Sequence, residues 1–336
     1  MSPLNPLPGP DISVLMSCHN SAKWVRYAIE SVLSQTFKNF EFVIVNDGST
    51  DETWGILQEY AMHDKRIIPV NKKNTGLADS LNVGLSAAKG EWIARLDDDD
   101  LCEPTRLEDQ FCFVKNHPRV VLLGAGALEI DASGQVIKSN CYPQRSPQLV
   151  RNLECLKRFF SHSSAFYNRR LALSLNGYNA RVHRAEDRRL WLEFSLRGEI
   201  ACCPKMLVRI RKHSGQISLD GNGARQFYDA VAATVCHFLK KSGNQDPSAS
   251  VSEDEWSEFL RWVESEVDRS GVLVRHKSWI SARGAFFSAP NRLIGFFKFV
   301  LSLVRSGNVL IHLKDAYGGT SLPSDLATKW IKLTGS

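Results

Sequence analysis

Short apolar runs alternate with amphipathic stretches through the first hundred residues of the chain. Branched and aromatic residues dominate four runs that predict buried strands: ISVLMS (12–17), FEFVIVND (40–47), RIIPVN (66–71) and EWIARL (91–96). The stretches between them repeat apolar residues at helical spacing: AKWVRYAIESVLSQ (22–35), GSTDETWGILQEYA (48–61) and LADSLNVGLSAAKG (77–90). This alternation favours right-handed β-α-β units, and so an α/β fold with a mainly parallel sheet flanked by helices.

Local signals predict where these helices begin and end. Asn20 or Ser21 is expected to cap the first helix. Ser49 and Glu52 form a capping-box pattern before the second helix. Gly90 is expected to end the third helix from the C′ position.

The predicted strands all end in small and polar residues, and ligands of open α/β sheets bind outside the carboxyl ends of the strands. These ends are Ser17 to Asn20, Asn46 to Ser49, Asn71 to Gly76 and Asp97 to Asp100. The chain has neither the glycine pattern of a dinucleotide fold nor a P-loop, so no glycine loop would cradle phosphates. Four adjacent aspartates could instead hold Mn²⁺ or Mg²⁺, which prefer carboxylate oxygens and bridge to substrate phosphates. The plainer alternative is a solvated turn that caps the following helix.

Composition narrows the class of protein without choosing one. The 336 residues are 43% hydrophobic and 23% charged, as in globular proteins with a buried core. A net charge of +6 is compatible with a nucleic-acid or membrane partner but does not require one. The eight cysteines lack zinc spacing, which favours reduced thiols. The first residues, MSPLNPLPGP, lack the basic and apolar regions of a signal peptide, so a cytoplasmic location is expected.

Three long stretches resemble a known family. They are SVLMSCHNSAKWVRYAIESVLSQTFKNFEFVIVNDGSTDET, NTGLADSLNVGLSAAKGEWIARLDDDD and AEDRRLWLEFSLRG. In this order they are similar to the signatures of family 2 glycosyltransferases, the inverting nucleotide-sugar enzymes with a GT-A fold. The resemblance covers about residues 11–218. Asn46, Cys18-His19 and Asp98 depart from it, since an aspartate, a small residue with a tyrosine, and an alanine or serine are more usual there.

The resemblance implies roles for individual residues. Asp99 would bind the metal directly, Asp97 would share the ion or lie near the ribose, and His213 would complete metal or diphosphate binding. A plain surface-loop role for His213 is the alternative. The implied contacts of the nucleotide sugar are Asp47 at the uracil or ribose, Ser17 and Asn20 along the base, and Asn74, Gly76, Arg95, Asp97 and Asp98 along the rest of the nucleotide and its phosphates.

The acidic pair in HRAEDRRLWLEF supplies candidates for the catalytic base. An acceptor hydroxyl has a pKa far above neutrality, so it needs a carboxylate within hydrogen-bond reach when it attacks. Glu186 and Asp187 begin a predicted helix, whose N-terminus stabilises an ionised carboxylate. The pair could also simply cap that helix and pair with Arg184 or Arg188. The family resemblance assigns the base to Asp187, and a single displacement implies inversion of the anomeric carbon.

The tail beyond residue 220 departs from these signatures. RQFYDAVAATVCHFLKK (225–241) and EWSEFLRWVESEV (255–267) predict helices joined by a polar linker. NRLIGFFKFVLSLVRSG (291–307) sets basic residues on a narrow stripe, which predicts either a helix packed on the core or an interfacial helix. In the second case residues 292–305 would contact anionic lipid. Its phenylalanines form no stacking platform in a basic groove, so no nucleic-acid partner is expected.

These patterns predict an N-terminal tail (1–10), a GT-A catalytic domain (11–220) and a mostly helical C-terminal region (221–336). The predicted activity is metal-dependent, inverting transfer of a sugar from a nucleotide sugar, with UDP-sugars favoured, to a saccharide or lipid-linked saccharide. The enzyme would act in surface polysaccharide or glycolipid synthesis on the inner face of the cell membrane. The alternatives are an aspartate-dependent phosphatase or hydrolase and a non-catalytic subunit of an assembly complex. The first leaves NDGSTD unexplained, and the second would not need Asp99 and Asp187.

Overall fold

The computed structural model describes residues 9–213, 223–272 and 321–334 of the chain. Within these residues the chain forms two compact units, each with a hydrophobic core of its own. So far as they are described, Met1–Val150, Phe159–Ala180 and Arg189–Ile217 make up the first unit. The second unit takes Arg151–Arg158, Arg181–Arg188 and Ser218–Ser336.

A mixed sheet of nine strands lies in the described part of the first unit. The strands are β1 (Ile12–Cys18), β2 (Phe40–Asp47), β3 (Ile67–Lys72), β4 (Trp92–Arg95), β5 (Leu101–Cys102), β6 (Val120–Ile130), β7 (Val136–Asn140), β8 (Phe166–Asn168) and β9 (Glu199–Arg211). Their order is β3-β2-β1-β4-β8-β6-β9-β5, with β7 paired to β6. The first four strands are parallel, and β8 runs antiparallel to both β4 and β6. The predicted strands are confirmed, because fully buried parallel strands show as continuous apolar runs.

Helices flank this sheet. They are α1 (Val25–Leu33), α2 (Thr53–His63), α3 (Leu77–Ala87), α4 (Arg106–Asn116) and α6 (Arg169–Ser174), with a 3-10 turn at His162–Ser164. Two more helices, α5 (Ser146–Glu154) and α7 (Glu186–Ser195), each contain residues of both units. Every residue of β2 is buried, and α3 packs against β1 and β2. The three helices predicted between the first four strands are confirmed.

The predicted helix caps in this unit are wrong, because the capping residues have other partners. The hydroxyl of Ser21 donates to Asp98, and α1 begins without a side-chain cap. The hydroxyl of Ser49 accepts the main-chain N–H of Asn20 at 3.0 Å instead of starting α2. The first N–H of α2, that of Thr53, donates to Asp51 at 3.0 Å.

Gly90 does not end α3, which stops at Ala87. Its N–H donates to the hydroxyl of Ser13 at 2.8 Å. A Cβ at this position would collide with the main chain of β1 at Ser13. The glycine is therefore needed for a close approach of two backbone segments and not for a helix end.

The second unit is helical in its described part. Its helices are α8 (Gly223–Lys241), α9 (Pro247–Ser250), α10 (Glu253–Ser270) and α11 (Leu322–Thr334). Both helices predicted in the tail are confirmed, and the linker between them contains α9, which Asp246 caps. No helix in the described parts of the chain is long and apolar enough to span a bilayer. Residues 292–305 lie outside the described residues.

Candidate active site

The first four strands are parallel and in register, so their carboxyl ends meet at one edge of the sheet. Asp47 ends β2, Lys72 ends β3 and Arg95 ends β4. Ser17, half-buried, stands next to last in β1 and is paired with Val45 of β2. The structure thus brings the predicted strand-end residues to a common edge.

Asp47 is enclosed by donors of its own chain. Its carboxylate accepts Nζ of Lys72 at 2.6 Å and the N–H groups of Thr75 and Gly76 at 3.0 and 2.9 Å. Burial raises the pKa of Asp47, but Lys72 and the other donors outweigh burial and lower the pKa below its ordinary 3.8. Gly76 reaches the carboxylate at a φ of +97°, a conformation that favours glycine. Asp47 therefore ties the loop between β3 and α3 to β2, and its contact with a nucleotide stays a prediction.

The loops after β1, β2 and β3 are joined by side-chain amides. Asn20, at a φ of +53°, accepts the N–H of Thr50 at 2.8 Å. Its Nδ2 lies 3.3 Å from Nε2 of His19. Nδ2 of Asn74 lies 3.1 Å from Nδ1 of the same ring. Asn20 and Asn74, both predicted to contact the nucleotide, are therefore linked through His19.

A cavity of about 640 Å³ opens at the ends of β2 and β3. Its lining is polar apart from one indole ring: Asn46, Gly48, Ser49, Trp54, Asn71, Lys72, Lys73 and Asn74. Nδ2 of Asn46 donates to Oδ1 of Asn71 at 2.7 Å, so the residue that replaces the usual aspartate forms an amide pair. An aromatic ring beside amides and ammonium groups suits a planar polar ligand.

Arg95 is a buried cation at the end of β4, with a relative exposure of 1%. Its guanidinium forms an ion pair with Asp97, and its Nη1 donates to the hydroxyl of Ser163 at 3.1 Å. The same hydroxyl accepts the N–H of Asp97 at 3.0 Å. Burial raises the pKa of Asp97, but the charge of Arg95 outweighs burial and lowers the pKa below 3.8. Arg95 therefore keeps Asp97 ionised.

Asp99 contacts residues at the far end of β9. Nε2 of His213 lies 2.9 Å from Oδ2 of Asp99, and Nε of Arg211 donates to the main-chain oxygen of Asp99 at 3.1 Å. The indole of Trp24 packs against both, 4.5 Å from the guanidinium of Arg211 and 5.5 Å from the ring of His213. Burial and the charge of Asp97 raise the pKa of Asp99. The two predicted metal ligands Asp99 and His213 are thus brought together.

Asp98 and Asp100 point to different partners. Asp98 accepts the hydroxyl of Ser21, and burial together with the charge of Asp99 raises the pKa of Asp98 to about 7. Asp100 accepts the N–H of Arg211 at 2.8 Å and is 2% exposed. Burial and the charges of Asp99 and Asp97 raise the pKa of Asp100 well above 3.8. Asp100, which the sequence analysis named only as part of the aspartate run, therefore belongs to the acidic cluster.

The donor set of this cluster fits a divalent cation. Carboxylate oxygens of Asp97, Asp99 and Asp100 lie within 4.8 Å of one another. The Ser163 hydroxyl already accepts two hydrogen bonds, so its single proton must serve two carboxylate oxygens, those of Asp97 at 2.7 Å and Asp100 at 2.5 Å. The Ser163 proton can therefore serve only one of these two oxygens at a time. Mg²⁺ and Mn²⁺ accept carboxylate oxygens of this kind, and Mn²⁺ also accepts imidazole nitrogen.

Glu186 and Asp187 begin α7 within the second unit. Glu186 is buried, with 8% relative exposure, whereas Asp187 is half-buried. Oδ1 of Asp187 accepts the N–H of Arg188 at 2.6 Å, and Nη1 of Arg188 donates to the main-chain oxygen of Leu153 at 2.6 Å. Arg184, just before the pair, has a φ of +58°, which is unusual for a residue with a side chain. The more exposed Asp187 stays the predicted base.

Several residues of the site escape sequence reasoning. Lys72 could have been found as a basic residue at a predicted strand end. Ser163 lies in a segment without a motif, 66 residues from Asp97, and Trp24 reads as part of an amphipathic helix. Their roles depend on contacts between distant segments, which only the fold supplies.

Sequence comparison relates the chain to known proteins. Residues 13–174 match the family model "Glycosyl transferase family 2". EpsE, a Bacillus subtilis protein named as a glycosyltransferase, is 37% identical over 194 residues, which cover 55% of this chain and 67% of EpsE. The amylovoran biosynthesis glycosyltransferase AmsE of Erwinia amylovora is 30% identical over 213 residues, covering 61% of this chain and 78% of AmsE.

Solved structures share the fold. S. aureus TarS 1–349 in complex with UDP-GlcNAc aligns with a TM-score of 0.55 at 20% identity, covering 88% of this chain and 80% of that chain. The mannosyltransferase PcManGT of Pyrobaculum calidifontis, in complex with GDP-Man and Mn²⁺, aligns at 0.53 and 16% identity, covering 99% and 82%. The predicted GT-A fold is confirmed. The match to the family model and the relatives show that the chain belongs to glycosyltransferase family 2 and is a transferase.

Proposed function

We propose that this glycosyltransferase is metal-dependent and inverting, and that it moves a sugar from a nucleotide sugar to a saccharide or lipid-linked saccharide acceptor. The observation that carries the proposal is the convergence of Asp97, Asp99 and Asp100 within 4.8 Å beside the strand ends. AmsE is named for amylovoran biosynthesis, which supports a role in surface polysaccharide or glycolipid synthesis. The ligands of the two solved structures, UDP-GlcNAc and GDP-Man with Mn²⁺, support a nucleotide-sugar donor and a divalent cation, and we favour a UDP-sugar.

Asp97, Asp99 and His213 would hold the cation, with Asp100 beside them. When bound, the cation supplies positive charge against the charge that develops on the departing diphosphate. Arg95 keeps Asp97 ionised through its buried ion pair. His213 fixes the orientation of the Asp99 carboxylate through the contact of 2.9 Å.

The nucleotide would bind along the common edge of the first four strands. Its proposed contacts are Ser17, Asn20, Asp47, Asn74, Gly76, Arg95, Asp97 and Asp98. The cavity at the ends of β2 and β3, where Trp54 lies beside amides, suits the base or the ribose. Because Asp47 is occupied by donors of its own chain, we propose that it acts on the nucleotide mainly by ordering the main chain at Thr75 and Gly76.

Asp187 is the proposed base, which takes the proton of the acceptor hydroxyl as that hydroxyl attacks. Asp187→Asn should lower kcat by at least about 100-fold, since general-base catalysis contributes that much or more. Donor binding, measured by isothermal titration calorimetry, should stay close to that of the wild type because the base acts on the acceptor. Glu186→Gln is the matched control. If Glu186→Gln is inactive and Asp187→Asn keeps most of its activity, Glu186 is the base.

The proposed reaction is tested with a panel of nucleotide sugars in the presence of Mn²⁺ or of a chelator. We expect slow release of nucleoside diphosphate from one donor, fastest from a UDP-sugar, and only with the metal. Equal release with the chelator would contradict the metal dependence. Release of phosphate from simple phosphate esters would favour a phosphatase, and donor binding without turnover would favour a non-catalytic subunit.

We further propose that the protein works at the inner face of the cell membrane through residues 292–305. The support is the sequence pattern alone, since these residues lie outside the described ones. Phe296→Glu with Phe297→Glu should abolish co-sedimentation with anionic vesicles and leave donor hydrolysis intact, whereas a core-packed helix predicts loss of both.

A further inference from the structure

The hydroxyl of Ser163 contacts three charged residues: Arg95 and two members of the acidic cluster, Asp97 and Asp100. Ser163 is 1% exposed and lies in the 3-10 turn that precedes β8. Arg95 and the N–H of Asp97 donate to its oxygen, which lies 2.7 Å from Oδ2 of Asp97 and 2.5 Å from Oδ2 of Asp100. One hydroxyl therefore connects the end of β4 with two members of the aspartate run.

We infer that Ser163 is a positioning residue for the divalent cation of the proposed function, on which this inference rests. A hydroxyl has two lone pairs and one proton. Arg95 and the N–H of Asp97 occupy the lone pairs, so Asp97 and Asp100 compete for the one proton. The hydroxyl thereby holds two carboxylates against a single oxygen, its proton serves one of them at a time, and a bound cation would supply positive charge to both.

The repulsion between Asp97 and Asp100 at the Ser163 hydroxyl destabilises the metal-free fold, and this supports a role of the hydroxyl in binding a cation. Two carboxylates that approach the same oxygen repel each other, and Arg95 offsets only one of the two charges by its ion pair with Asp97. Without the hydroxyl, Asp97 keeps its ion pair with Arg95, and Asp100 keeps the N–H of Arg211. The carboxylates would then lose the anchor that they share, and the spacing of their oxygens would relax.

The neighbouring Ser164 provides a matched control. It is fully buried, with 0% exposure, and belongs to the same turn. Its hydroxyl donates to the main-chain oxygen of Ser161 at 2.8 Å and accepts the N–H of Ala125 at 3.4 Å. These contacts hold the turn itself and involve none of the aspartates. The two serines therefore separate support of the turn from support of the cluster.

The test is a titration of the full-length chain with Mn²⁺ alone, in which the electron paramagnetic resonance signal reports free Mn²⁺. Ser163→Ala should weaken Mn²⁺ binding about tenfold, the size expected for the loss of a hydrogen bond to a charged group. Ser163→Cys keeps the volume but replaces the hydroxyl by a weak donor, and it should weaken binding to a similar extent. Ser164→Ala should lower the Tm of the metal-free protein yet keep the Mn²⁺ affinity of the wild type.

The outcomes separate this inference from the proposed function. Wild-type Mn²⁺ affinity in Ser163→Ala or in Ser163→Cys overturns the positioning role and leaves the metal dependence standing. An equal loss of affinity in Ser164→Ala also overturns it, since the effect would then come from the turn. If the wild-type protein binds no Mn²⁺, the metal dependence fails, and the role of Ser163 fails with it.

Discussion

Two strand ends of one sheet carry carboxylates in opposite surroundings. At the end of β2, Asp47 receives the ammonium group of Lys72 and two main-chain N–H groups, and its pKa lies below 3.8. After β4, Asp99 and Asp100 face other carboxylates, and burial with that repulsion raises the pKa of each. At the first strand end the charge of the carboxylate is compensated by donors of the chain, whereas at the second the carboxylates lie beside one another.

This difference separates two roles of a carboxylate at a strand end: stabilising the fold and binding a ligand. A carboxylate that accepts hydrogen bonds from several donors of its own chain stabilises the fold, since its charge is already compensated. An acid among other acids destabilises the metal-free fold, and such a cluster is a candidate for a site where a ligand supplies the missing charge. The same substitution, aspartate to asparagine, should therefore have opposite consequences at the two ends.

The largest effect is expected at the acceptor-rich end. Asp99→Asn should lower kcat by about 100-fold or more, because it would remove a charged ligand of the proposed cation, which in our proposal offsets charge on the leaving diphosphate. In the metal-free protein the free energy of unfolding should rise, since a buried charge beside Asp97 is lost. Calorimetric titration with UDP and Mn²⁺ checks the binding. Unchanged metal-dependent binding of UDP would remove Asp99 from the ligand set.

A smaller effect of opposite sign is expected at the donor-filled end. Asp47→Asn should lower the free energy of unfolding by about 1–3 kcal/mol, since the half-buried ammonium of Lys72 loses one of its two carboxylate partners and keeps Asp79 at 3.1 Å. Binding of Mn²⁺ alone should stay close to that of the wild type. Chemical denaturation measures the first quantity, and the Mn²⁺ titration measures the second.

Asp64→Asn is the control for this substitution. Asp64 pairs with Arg66 at 2.7 Å, but both side chains are partly exposed, at 24% and 29%. A pair of this kind contributes about 1 kcal/mol or less. If Asp47→Asn costs no more than Asp64→Asn, or if it weakens Mn²⁺ binding, the two strand ends do not differ as described.

The sequence alone predicts the first four strands and the helices between them well, and it predicts the local contacts at the helix ends poorly. Continuous apolar runs mark buried parallel strands, so the first four strands and the site edge follow from pattern and topology. Helix starts do not, because capping residues such as Ser21 and Ser49 are equally able to bond distant loops. A capping box does form at the start of α10, between Ser252 and Glu255, where the serine bonds within its own turn.

The site itself was predictable only in part. The run Asp97 to Asp100 and the acidic pair are visible as motifs, and His213 follows from the family resemblance. Which aspartates converge is not visible, because Asp98 and Asp100 differ only in what distant segments bring to them: Ser21 to one, and Ser163 with Arg211 to the other. Contacts of this kind between distant segments leave no periodic pattern in a sequence.

The last expected effect is a pH dependence at Asp98. Its pKa is about 7 in the folded, metal-free chain, because of burial and the charge of Asp99, against an ordinary value of 3.8. Between these two pH values the folded chain binds a proton that the unfolded chain has released, so this group makes the free energy of unfolding fall as pH rises from about 4 to 7.

Asp98→Asn removes that pH dependence. The Tm of the variant, measured in the presence of a chelator, should gain a few degrees on the wild type across this range. The lowered pKa of Asp47 has the opposite sign, since the stability that it contributes is present above pH 3.8 and is lost as pH falls through its folded pKa. If the Tm of Asp98→Asn and the Tm of the wild type change with pH in the same way between pH 4 and 7, Asp98 is not held in the acidic surroundings that distinguish its strand end from that of Asp47.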